Sequence, residues 1–60
     1  SNSHNDSTIA DLIVDGCNMG TKSLYKYLND YSDAEEKAKD IAKRLINIEE
    51  KLITNLRGYL

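Results

Sequence analysis

The chain has 60 residues, a net charge of -2, one cysteine, one histidine and no proline. A chain this short buries only about 60% of the surface it exposes unfolded, and Cys17 with His4 supplies neither a disulfide nor a ligand set for structural zinc. The acidic balance lacks the Lys and Arg surplus that nucleic-acid binding draws on, and no apolar run is long enough to span a bilayer.

"SNSHNDST" is polar and aperiodic, so residues 1–7 are expected to form a disordered tail. Ser1 and Asn2 stand where Met would, the form a cleaved tag leaves, which suggests a trimmed or partial chain. Thr8 followed by Asp11 has the spacing of a capping box, in which a hydroxyl and an acid satisfy the first free amides of a helix. From there, projection at about 100° per residue gathers Ile9, Ile13, Cys17, Gly20, Leu24 and Leu28 on one stripe, flanked by Val14 and Tyr25. Asp11, Asp15, Asn18, Lys22 and Lys26 fall opposite. The pattern predicts an amphipathic helix over about residues 8–29.

Within that helix, "DGCNMG" places Gly16 and Gly20 one above the other on the stripe's flank. Each glycine costs a helix roughly 1 kcal/mol relative to alanine, so the pair is expected to let another helix come close. The segment does not fit a calcium loop, because Ile13 and Lys22 stand where oxygen ligands belong.

"NDYSDAEE" reads as a corner. Asn29 is expected to end the first helix in the left-handed conformation, and Ser32 with Glu35 forms a second capping box. The second helix is expected over about residues 33–59, with Ile41, Leu45, Ile48 and Leu52 at the centre of its apolar arc. Ala42, Ile46, Ile53 and Leu60 widen that arc to about 160°. Glu35 with Lys39 and Asp40 with Arg44 have the acid-before-base order that supports an exposed helix face.

A corner this short predicts an all-α, antiparallel two-helix hairpin. Gly16, Gly20, Ile13, Cys17, Leu24 and Leu28 are expected to meet Ile41, Leu45, Ile48 and Leu52 across it. The surplus width of both arcs assigns Val14, Tyr25, Ile46, Ile53 and Leu60 to a second contact, so the hairpin is expected to dimerise into a four-helix bundle.

Catalytic chemistry has little to work with. Cys17 lies near the stripe's centre with no base beside it, where a thiol acts as a small hydrophobe. Glu49 is the one acid near the second stripe, expected at its exposed edge, with a salt bridge across a dimer as the alternative. The tyrosines are expected to pack rings inward with hydroxyls at the rim.

"DG" followed by a glycine, then "KSLYKYLNDY" and a charged second helix with "IEEKL", resembles the helical hairpins of uncharacterised ferritin-like proteins of Gram-positive bacteria. The resemblance implies half of a ferritin-like bundle, completed by dimerisation, and implies no activity. Ferritin-like metal enzymes carry Glu-x-x-His, which is missing here, so no metal or catalytic residue carries over.

The resulting expectation is a non-enzymatic, cytoplasmic module for assembly or protein–protein interaction, self-associating or meeting a helical protein partner, with no cofactor, nucleic acid or membrane. The alternative is a small ligand- or metal-binding bundle with carboxylates from two chains.

Overall fold

The computed structural model describes residues 3–60. Two α-helices, α1 over Ser3–Asp30 and α2 over Glu36–Leu56, pack side by side in an antiparallel hairpin, and a 3-10 turn over Arg57–Tyr59 follows α2. The all-α hairpin is therefore as expected, with different boundaries.

α1 begins at Ser3, so residues 3–7 of the expected polar tail are helical, and only Ser1 and Asn2 lie outside the described residues. Thr8 is accordingly inside the helix and caps nothing: its hydroxyl donates to the carbonyl of His4 at 2.9 Å. Asp6 in the first turn favours the helix dipole, and it lies beside Leu56 and Tyr59. The far end of the hairpin thus gives the first turn a surface to pack on.

The corner also departs from expectation. Asn29 stays helical, and no residue takes a positive φ among those described. Glu35 holds the cap position of α2 at φ -55°, ψ 139° without a side-chain cap hydrogen bond, so the Ser32–Glu35 capping box does not form. Lys39 closes the corner instead. Its ammonium donates to the Ser32 carbonyl at 2.8 Å and pairs with Glu36 Oε1 at 2.8 Å, in place of the expected Glu35. The bond and charge of Lys39 hold the Glu36 carboxyl below its ordinary value.

The contact between the helices follows a 3.5-residue repeat. On α1 it runs through Ala10, Val14, Cys17, Thr21, Leu24 and Leu28, and on α2 through Lys39, Ala42, Ile46, Glu49, Ile53 and Leu56. Ala10 and Ile46 are the most enclosed, at 2% and 4% exposed. Steps of three and four alternate along both helices, the spacing that keeps one seam facing a partner.

No second layer covers this seam. The molecule measures 47 × 15 × 11 Å, and its radius of gyration is 14.1 Å, against about 10 Å for a compact domain of this length. Burial is confined to a narrow strip, so each seam residue carries a large share of stability. Ile46→Ala is expected to lower unfolding free energy by at least about 2 kcal/mol in urea titrations. Met19→Ala, at a site 71% exposed, should change it by no more than about 0.5 kcal/mol.

Candidate interaction face

Each seam residue has two immediate neighbours along the chain, and these sort by polarity. The residues just after the seam positions of α1 are Asp11, Asp15, Asn18, Lys22, Tyr25 and Asn29. The residues just before them are Ile9, Ile13, Gly16, Gly20, Ser23 and Tyr27. α2 repeats the rule: Asp40, Lys43, Asn47, Glu50, Thr54 and Arg57 follow its seam positions, while Ala38, Ile41, Leu45, Ile48, Leu52 and Asn55 precede them.

Antiparallel pairing brings the two preceding sets onto one side of the hairpin. Tyr27 and Ala38 line one groove near the corner, and Ile9 and Tyr59 line another at the open end. The following sets share the reverse side, where the Tyr25 hydroxyl donates to Glu50 Oε1 at 3.2 Å. The hairpin therefore has one polar face and one apolar face.

The apolar face is open. Ile48 is 55% exposed, and Ile9, Ile13, Ile41, Leu45, Leu52, Tyr27 and Tyr59 are exposed as well. Total accessible surface is 4795 Å², roughly 800 Å² more than a compact monomer of this mass presents. Toward the corner the face deepens into a groove of about 180 Å³, walled by Leu24, Tyr27, Leu28, Tyr31, Ala34 and Ala38. Tyr27 and Tyr31 stack there, with ring centres 5.9 Å apart.

Glu49 stands at the middle of the seam, half-buried, where an exposed edge position was expected. Its Oε2 accepts from the Thr21 hydroxyl at 2.8 Å. The carboxylate lies over Gly20 so closely that a β-carbon there would come within 2.8 Å of Oε2. Gly20 thus admits the Glu49 side chain of the chain's own second helix. Nothing lies within 4 Å of the place a Gly16 β-carbon would take, so Gly16 makes no close contact inside the hairpin.

Other expected contacts also change place. Cys17 is buried, and Leu24 and Leu28 are half-buried on the seam, as the hairpin reading requires. Ile13, Ile41, Leu45, Ile48 and Leu52 are exposed on the apolar face and do not fill the seam. Val14 and Ile46, expected at an outer contact, are buried between the two helices, and Ile53 is half-buried with them. Tyr25 lies on the polar face with Glu50; Leu60 is exposed at the chain's end. The physical reason is register: the 3.5-residue seam runs one position after Ile13, Ile41, Leu45, Ile48 and Leu52, so those side chains flank it.

Ala10, Ala42 and the Thr21–Glu49 pair were not legible as seam residues. Their signal was the 3.5-residue spacing that they share with Val14, Cys17, Ile46 and Ile53.

Among the described residues, no three His, Cys, Asp or Glu side chains gather closely enough to hold a metal ion, and no helix is long and apolar enough to cross a membrane. Comparison with known proteins returns no match to a family model, a curated protein or a solved structure.

Two measurements check this geometry. Thr21→Val should cost about 1 kcal/mol in the native background and close to nothing in a Glu49→Ala background, a coupling that a double-mutant cycle reads directly. The negative charge of Glu50, with some desolvation and the hydrogen bond, raises the Tyr25 phenol above its ordinary value of 10.0. The neutral phenol is the form the fold favours, so this contribution is complete below the unfolded value and fades as pH climbs through the folded one. Ultraviolet titration of the phenolate should show Tyr25 ionising above its ordinary value, and Glu50→Gln should lower it.

Proposed function

We propose that this chain is a self-associating helical module, a non-enzymatic assembly or protein-interaction unit whose working form is a four-helix dimer. The observation that carries the reading is the continuous apolar face opposite a polar one on a hairpin only one layer thick. Amphipathic helices are stable when each apolar arc meets another element, and here one flank of both arcs meets none within the chain.

The areas support the same reading. The excess of roughly 800 Å² over a compact monomer matches the ~800 Å² per partner of a standard specific interface. At about 25 cal/mol per Å² of apolar surface, covering such a face offers stabilisation that the narrow seam lacks.

A second copy on the face makes stability depend on protein concentration. The melting temperature should therefore rise with concentration from the low to the high micromolar range. Ile48→Glu, on the open face, should yield a monomer by light scattering and remove that dependence; Asn47→Glu, on the polar face, should leave both unchanged. A native chain that stays monomeric at high micromolar concentration, with a concentration-independent melt, would overturn the proposal.

A further inference from the structure

Resting on the self-association just proposed, we infer that the two hairpins stack with their corners at opposite ends, and that Tyr59 of each copy seats in the corner groove of the other. The partner is a second copy of this chain, and three features of the hairpin bear on which way round it sits.

The first is the symmetry of the apolar face. Along α1, Ile13 and Tyr27 lie seven residues to either side of Gly20, and Ile9 and Tyr31, the latter one residue past the helix, lie eleven to either side. Along α2, Leu45 and Leu52 flank the pair Ile48 and Glu49, and farther out Ala38 and, on the 3-10 turn that follows the helix, Tyr59 flank it. The Glu49 carboxylate rests on Gly20, so the centres of the two patterns coincide in space. A two-fold axis lying across the face at that point serves both helices at once. It sets Ile13 of one copy on Tyr27 of the other and Ile9 on Tyr31, with Gly20 facing Gly20.

The second feature is the fit at the ends. The same axis brings Tyr59, exposed at the open end of one copy, over Ala38 at the corner of the other. Ala34 and Ala38 leave the groove of about 180 Å³ that an aromatic ring can enter. Stacking with the corners together would set the groove and its walls of Tyr27 and Tyr31 against their own copies, and would leave Tyr59 at the far end from both grooves.

The third feature is charge. Asp30, Asp33, Glu35 and Glu36 outnumber Lys37 and Lys39 at the corner, which is left with a net negative charge, and Lys39 is already held by Ser32 and Glu36. Corners placed together would double that negative charge within one end of the bundle. Corners at opposite ends lie nearly the full 47 Å of the molecule apart, several times the ~8 Å screening length at physiological salt.

The test places a spin label at the exposed corner through Ser32→Cys in a Cys17→Ala chain, with circular dichroism and mass to confirm a folded dimer. Pulsed electron resonance should give an inter-label distance of roughly 40 Å, the length of the 28-residue α1 at about 1.5 Å per residue. A folded dimer with labels closer than about half that distance would overturn the orientation while leaving self-association standing; a monomer would overturn both. Tyr59→Ala should weaken the dimer at least about tenfold with helix content retained, and an unchanged dissociation constant would remove Tyr59 from the groove.

Discussion

The narrow strip of side chains along which α1 and α2 meet governs everything else in this molecule. Ala10, Val14 and Cys17 on one helix, with Ala42 and Ile46 on the other, build the strip. The isoleucines, leucines and tyrosines that precede the seam positions lie outside this strip and stay exposed. Those side chains are displaced to one side together, because an antiparallel pair places equivalent flanks on the same face. A narrow core and a broad apolar face are consequences of one choice of seam.

Polar groups fix how the helices slide against one another. Glu49 reaches across to Thr21 and lies over Gly20, so a shift along the axis would lose the hydrogen bond and push the carboxylate against a side chain. At the corner, Lys39 satisfies the Ser32 carbonyl and neutralises part of the acidic turn. Exposed pairs of this kind contribute little energy singly. Their effect here is on register, and the register is what places the centre of the α1 pattern beside the centre of the α2 pattern.

The two helices, the short corner and the width of both apolar arcs were legible in the sequence, because proline is absent and the polar and apolar positions separate cleanly at helical periodicity. Which part of each arc forms the seam was not. Projection weights the large apolar residues, so its centre falls between Ile13, Cys17 and Leu24, whereas the 3.5-residue seam runs through Val14 and Thr21, one position on. Hydrophobicity alone also favours Ile48 or Leu45 over Ala42 as a contact residue, whereas close packing favours the smaller side chain. The start of α1 escaped for another reason: residues 3–7 have no helical pattern of their own, and Asp6 among them shares the open-end groove with Leu56 and Tyr59, which are distant in sequence.

The central claim is that a one-layer hairpin becomes two layers by covering its apolar face. Small-angle X-ray scattering at high micromolar concentration tests it in one measurement. Face-to-face stacking predicts twice the mass of the 6.8 kDa chain within a longest dimension still close to 47 Å. A single-chain mass would contradict the account, and so would a doubled mass in a particle of nearly doubled length.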